Sequence, residues 1–125
     1  MSKISIIGAG AVGAASAFAL SQEPWVNELV LIDINEKKAQ GEALDIMHGM
    51  PLSQTVDVIS GQYEDSKDSD IVVITVGVPE VVGESRLIPL QKNTEILEGI
   101  IPQILKYSPD TILLLVSNPV DLLSY

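Results

Sequence analysis

An α/β fold, with a doubly wound parallel sheet in a single domain, is predicted by three features of the sequence. Five short apolar runs alternate with segments of helical periodicity. The fourth run, residues 71–76, is continuously β-branched, as expected of a parallel strand covered on both faces. A glycine-rich turn, Gly8-Ala9-Gly10-Ala11-Val12-Gly13, joins the first run directly to a helix of small residues. A length of 125 residues fits one domain. Folding at that size buries roughly two-thirds of the unfolded surface, enough for a real core.

The elements follow in order. The first strand covers Lys3–Ile7, and its helix covers Ala11–Ser21. Pro24 and Trp25 mark a turn, and the second strand runs over Glu28–Ile32. Asn35 is placed to cap the next helix, with Glu36 in its favourable first turn. Ala39, Ala43, Ile46, Met47 and Met50 recur near helical spacing and are expected to face the sheet. Gly49 and Pro51 mark the end of that helix. Residues 55–60 alternate polar and apolar and read as a third strand. Residues 65–70 form a charged connector with a helical turn, and residues 71–76 the fourth strand. Two glycines and a proline make residues 77–85 a loop. A long helix follows, carrying Leu90, Ile96, Leu97, Ile100, Ile101, Ile104 and Leu105. Pro102 should kink or interrupt it, because proline removes a helix hydrogen bond. Residues 111–116 read as a fifth strand, and Pro119 suits the first position of a further helix. Only about two turns of that helix precede Tyr125, which is expected of a fragment of a larger protein.

The glycine turn carries the first chemistry. Gly8 can adopt the φ values of a tight turn. Gly10 lets a pyrophosphate approach the backbone, and Gly13 lets the helix lie close to the strand. The head of that helix then offers free N–H groups and a positive dipole end to phosphates. Asp33 closes the second apolar run twenty residues past Gly13, placed to accept hydrogen bonds from ribose hydroxyls. Its charge repels a 2′-phosphate, and Ile34 supplies no arginine to welcome one, so NAD is expected over NADP. The alternative of a plain glycine-rich turn is outweighed by strand, helix and acid all standing in place.

Composition excludes several classes. A net charge of −10 argues against nucleic-acid or anionic-membrane surfaces. The absence of cysteine excludes disulfides and thiolate chemistry and fits a cytoplasmic location. Lys3, the apolar stretch to Leu20 and Ala17-Phe18-Ala19 imitate a secretory leader, but glycines at fingerprint spacing argue otherwise. No cluster has metal-ligand spacing. His48, the only histidine, lies outside any catalytic motif, and Asp45, Tyr107 and Trp25 read as structural.

Two later motifs narrow the reading. They are residues 77–87, Gly-Val-Pro-Glu-Val-Val-Gly-Glu-Ser-Arg-Leu, and residues 116–121, Val-Ser-Asn-Pro-Val-Asp. With Ala43-Leu44-Asp45 and His48-Gly49, they make the chain resemble the N-terminal, NAD-binding half of the L-lactate/malate dehydrogenase family, with bacterial L-lactate dehydrogenases the nearest branch. The resemblance is collinear from about Ile4 to the last residue.

The resemblance implies hydride transfer between NAD and a 2-hydroxy/2-oxo acid in a homo-oligomer, a tetramer or dimer. It places Gly8, Gly10, Val12 and Gly13 at the pyrophosphate. Asp33 would stand at the ribose with Lys38 nearby, and Tyr63 at the adenine. Gly77 and Val78 would let the cofactor pass over the sheet, and Val116, Ser117 and Asn118 would reach the nicotinamide side. Arg86 would polarise the substrate ketone from a closing loop. Glu80, Asn118 and Asp121 would face the substrate with it. Glu80 departs from the family pattern of glutamine for lactate and arginine for malate. Its carboxylate should repel the second carboxylate of oxaloacetate. The family's acid/base histidine matches nothing in these residues, so the chain alone is expected to be inactive. A malate dehydrogenase and a free-standing NAD-sensing module are the alternatives. The Glu84-Ser85-Arg86-Leu87 and Ser117-Asn118-Pro119 motifs speak against the sensor.

Overall fold

The computed structural model describes residues 2–49, 56–75 and 87–116, with side chains from residue 95 onward in the last segment. Its elements are β1 (Lys3–Ile7), α1 (Ala11–Ser21), β2 (Glu28–Ile32), α2 (Glu36–Gly49) and β3 (Asp57–Ser60). A short 3₁₀ turn (Tyr63–Ser66), β4 (Ile71–Ile74), α3 (Leu87–Tyr107) and β5 (Ile112–Leu115) follow. The five strands form one sheet in the order β3-β2-β1-β4-β5, and every pairing is parallel. The chain builds outward from β1 in one direction, then crosses to build outward in the other. That reversal puts a topological switch point between β1 and β4, where open α/β sheets bind ligands at the strands' carboxyl ends.

Alternation along the strands divides the core in two. Ile4, Ile6, Leu29, Leu31, Val58 and Val73 pack with Ala17, Ala39, Ala43 and Ile46 of α1 and α2 on one face. Ile7, Val30, Ile32, Val72 and Ile74 pack with Leu97, Ile100 and Ile104 of α3 on the other. Both faces of the inner strands are thus covered, which explains their unbroken apolar character.

One polar system interrupts the second face. The Ser69 hydroxyl donates to the Ser66 carbonyl at 2.6 Å and meets the Ser5 hydroxyl at 2.6 Å. The Ser108 hydroxyl donates to the same Ser66 carbonyl at 2.5 Å and accepts the Ser69 amide at 3.2 Å. All four serines are buried. Their mutual bonding satisfies hydroxyls that would otherwise destabilise an apolar interior. The network ties the 3₁₀ turn and the end of α3 to β1, at the end of the strands away from the switch point.

Several expectations are corrected. Helix α3 runs through Pro102 without interruption. Pro102 is exposed, while Ile100 and Ile104 on either side are buried against the sheet and hold the helix together. The Gln103 side-chain amide also donates to the Gly99 carbonyl at 3.1 Å, within the turn that proline weakens. Met47 does not face the sheet as expected, being 39 % exposed. Strands β3, β4 and β5 are shorter than the apolar patterns implied. The helical turn begins at Tyr63, ahead of the charged connector, because its hydrogen bonds start from the Gln62 carbonyl. Met50, the loop over residues 77–85 and the helix after Pro119 lie outside the described residues, as do the side chain of Leu90 and Thr55 at the start of the third run. Among the described residues, no helix is long and apolar enough to cross a membrane.

Candidate functional site

At the end of β1 the backbone turns through Gly8, whose φ of 106° suits glycine. The Gly8 amide donates to the Ile32 carbonyl at 2.7 Å. The Thr75 amide donates to the Ile7 carbonyl at 2.9 Å, and its hydroxyl lies 3.1 Å from the carbonyls of both Ile7 and Gly8. The turn is therefore fixed from both sides by the ends of β2 and β4.

Gly10 and Gly13 serve different ends. A Cβ on Gly13 would lie 1.8 Å from the Gly8 carbonyl oxygen and 2.9 Å from the Thr75 hydroxyl. Helix α1 lies this close to the sheet only because Gly13 has no side chain. A Cβ on Gly10 would meet nothing within 4 Å, and Gly10 has an ordinary φ of −73°. The fold itself does not demand glycine there, so the space before Gly10 is open to a ligand. Gly10 is the N-cap of α1 and offers no side chain to the first-turn amides. Those N–H groups and the helix dipole remain available to an anion.

Asp33 follows β2. Its Oδ2 accepts the Ala9 amide at 2.7 Å and its Oδ1 accepts the Asn35 amide at 2.8 Å. Both oxygens are oriented by the backbone and retain lone pairs for further donors. Asn35 caps α2, its Oδ1 accepting the Lys38 amide at 3.3 Å. Across the opening, the Gln62 side-chain amide donates to Glu36 Oε1 at 2.5 Å. Burial, and secondarily the Asp33 charge, holds the Tyr63 phenol above the ordinary tyrosine pKa.

These groups share one cleft of about 500 Å³ at the carboxyl edge of the sheet. Gly8 and Gly10 line it, with Asp33, Glu36, Lys38, Gln62 and Tyr63 as its polar part. Ile7, Ile32, Ile34, Ile96 and Ile100 supply apolar surface, and Thr75 also lines it. Ile34 is 98 % exposed and presents a bare apolar lip. An oriented carboxylate, uncapped helix amides and apolar walls suit an elongated ligand with a hydroxylated sugar and a negatively charged centre.

Residues 2–125 match the family model for the NAD-binding domain of lactate/malate dehydrogenases. The chain belongs to this family. It is 54 % identical over 123 residues to an L-lactate dehydrogenase of Clostridium perfringens, covering 98 % of this chain and 39 % of that protein. A crystal structure of a minor L-lactate dehydrogenase from Enterococcus mundtii superposes with a TM-score of 0.92 at 41 % identity, over 99 % of this chain and 40 % of that one. A malate dehydrogenase from Archaeoglobus fulgidus, in complex with NADH, gives a TM-score of 0.93 at 35 % identity, over 98 % and 42 %. The chain thus spans about two-fifths of the length of these relatives.

Within this NAD-binding domain the structure brings five of the sequence-derived site residues to the cleft: Gly8, Gly10, Asp33, Lys38 and Tyr63. Three others stand apart from it. Gly13 is buried behind the turn. Val12, on the first turn of α1, is 54 % exposed and is not among the lining residues. Val116, just past β5, is 39 % exposed and also outside the lining. Gly77, Val78, Glu80, Arg86, Ser117, Asn118 and Asp121 lie outside the described residues.

Thr75, Gln62, Ile96 and Ile100 were missed by sequence reasoning. Thr75 had a usable signal, a hydroxyl breaking an aliphatic run at the carboxyl end of a parallel strand. Ile96 and Ile100 read only as core positions, since periodicity cannot say which turn of α3 reaches the cleft.

Proposed function

We propose that this chain is the dinucleotide-binding domain, residues 1–125, of a longer two-domain L-2-hydroxy-acid oxidoreductase of the L-lactate dehydrogenase type. The observation that carries the reading is the union of two features in one cleft. Gly10 leaves open space at the head of α1, and Asp33 is oriented by the Ala9 and Asn35 amides. In this reading, NAD places its pyrophosphate over the α1 amides and its adenosine ribose on Asp33. Lys38 and Tyr63 flank the adenosine, and Ile34 packs against the base. The cofactor, when bound, supplies hydride exchange with the substrate's hydroxyl-bearing or keto carbon.

The substrate side is carried by residues assigned from the family motifs. Gly77 and Val78 line the cofactor's path, and Val12, Gly13, Val116 and Ser117 support its two ends. Arg86 polarises the substrate carbonyl and stabilises the charge that develops on its oxygen. Asn118 donates an amide hydrogen bond to that oxygen, with Asp121 close by. Glu80 disfavours a dicarboxylate, so the substrate is a lactate-like or broader monocarboxylic 2-hydroxy/2-oxo acid rather than malate. A second domain supplies the proton-transfer group, and the whole enzyme works as a cytoplasmic homo-oligomer.

The test has two arms. The 125-residue chain should bind NADH weakly in a fluorescence titration and produce no lactate-dependent NADH. The intact enzyme should reduce pyruvate-like acids and leave oxaloacetate largely untouched. Absence of NADH binding refutes the cofactor assignment, turnover by the chain alone refutes the need for a second domain, and efficient oxaloacetate reduction refutes the substrate assignment.

A further inference from the structure

The polar part of the cleft holds an arrangement that the dinucleotide reading does not require. Asp33 alone suffices to meet two ribose hydroxyls. Yet Glu36 also lines the cleft, from the first turn of α2. Its carboxylate is not left to wander. The Gln62 amide reaches across from the 3₁₀ turn and holds Oε1 at 2.5 Å. Gln62 is itself fixed, its backbone amide donating to Asp65 Oδ2 at 2.7 Å. Lys38, a cation of the kind that attracts a phosphate, lines the same cleft from the same helix. Among the described residues the single ion pair is Lys3–Glu28, at the other end of the strands, so Lys38 is not neutralised by a direct salt bridge there.

We infer that Glu36, positioned by Gln62, is a second cofactor-specificity residue that excludes a 2′-phosphate from the adenosine ribose. The inference rests on the dinucleotide reading of the cleft. Two carboxylates against one ammonium leave this part with a net charge of −1. The hydroxyls of NAD are neutral and tolerate that field, whereas the additional phosphate of NADP carries nearly two negative charges into it. Removing the Glu36 charge leaves Asp33 and Lys38 balanced and lets the lysine act on the phosphate. The group is exposed, so the effect is screened by salt.

The experiment measures NADH and NADPH affinity by fluorescence titration of the full chain, for the unmodified protein, Glu36→Gln and Gln62→Ala. Glu36→Gln should raise the ratio of NADPH to NADH affinity roughly fivefold to tenfold, an effect that shrinks in high salt. Gln62→Ala should raise NADPH affinity less, because the carboxylate is freed rather than removed. An unchanged NADPH-to-NADH ratio in Glu36→Gln, with NADH still bound, overturns the inference and spares the dinucleotide reading. A salt-independent change overturns the electrostatic role. Failure of the unmodified chain to bind NADH overturns the dinucleotide reading, and the inference with it.

Discussion

The Ala9 amide donates to Asp33 Oδ2 at 2.7 Å, so the acid after β2 fastens the turn after β1. The residue that would receive a ribose therefore also shapes the loop that would receive a pyrophosphate. Asp33→Asn should be more damaging than its size suggests, since an NH₂ group would face either the Ala9 or the Asn35 amide. We expect a loss of about 1–3 kcal/mol in denaturant unfolding, accompanied by weaker NADH binding. Unchanged affinity in the folded variant would remove Asp33 from the ligand site.

Gly10 and Gly13 separate ligand space from packing. Gly13→Ala drives a methyl group into the Gly8 carbonyl and should cost at least about 3 kcal/mol, at the upper end of overpacking penalties. Gly10→Ala meets no protein atom and should change stability by no more than about 0.5 kcal/mol. The same Gly10→Ala change should weaken NADH binding about tenfold, or 1.4 kcal/mol. Thermal melts and titrations of the two variants check the contrast, and equal effects on stability would contradict it.

Tyr63 predicts an alkaline signature. Its folded pKa is raised by burial first and by the Asp33 charge second. Below about pH 10 the phenol is neutral in both folded and unfolded states, and the contribution is fully present. As pH rises further the unfolded state releases its proton first, so stability falls until the folded pKa is passed. Tyr63→Phe should lack this decline. Urea midpoints of the two proteins, measured from pH 8 to pH 11, should move in the variant's favour only at the alkaline end.

The buried serines predict non-additivity. Because the Ser69 hydroxyl donates to the Ser66 carbonyl, the Ser5 hydroxyl must donate to Ser69. Ser69→Ala leaves the Ser5 donor buried without its acceptor, at about 1–3 kcal/mol. Adding Ser5→Ala removes that orphan, so the double variant should cost less than the two single changes together. Denaturant unfolding of the cycle checks this, while NADH affinity should stay constant throughout.

Much of the fold was legible because its signals are local. The bounds of β1, α1 and β2 follow from apolar runs broken by glycine, proline and polar residues, and Asn35 shows its capping role in the residue type alone. Pro102 misled because its local penalty is outweighed by the burial of Ile100 and Ile104 on the sheet, a tertiary effect. Met47 misled because a helix that touches the sheet through alanines has a narrow buried stripe. In the site, Gly10 and Asp33 announced themselves by spacing. The pairing of Gln62 with Glu36 joins residues 26 positions apart on two different elements, and no pattern within either segment could reveal it.

The serine network lies at the opposite end of the strands from the cleft, with consequences for how such a domain can change over generations. The buried hydroxyls that lock the 3₁₀ turn and the end of α3 to β1 make no use of Ile34, Glu36 or Lys38. Substitutions along the carboxyl edge can therefore retune the choice of ligand while the fastening at the other end stays untouched. The scaffold is evolvable at its open end because its buried polar fastening lies at the closed one.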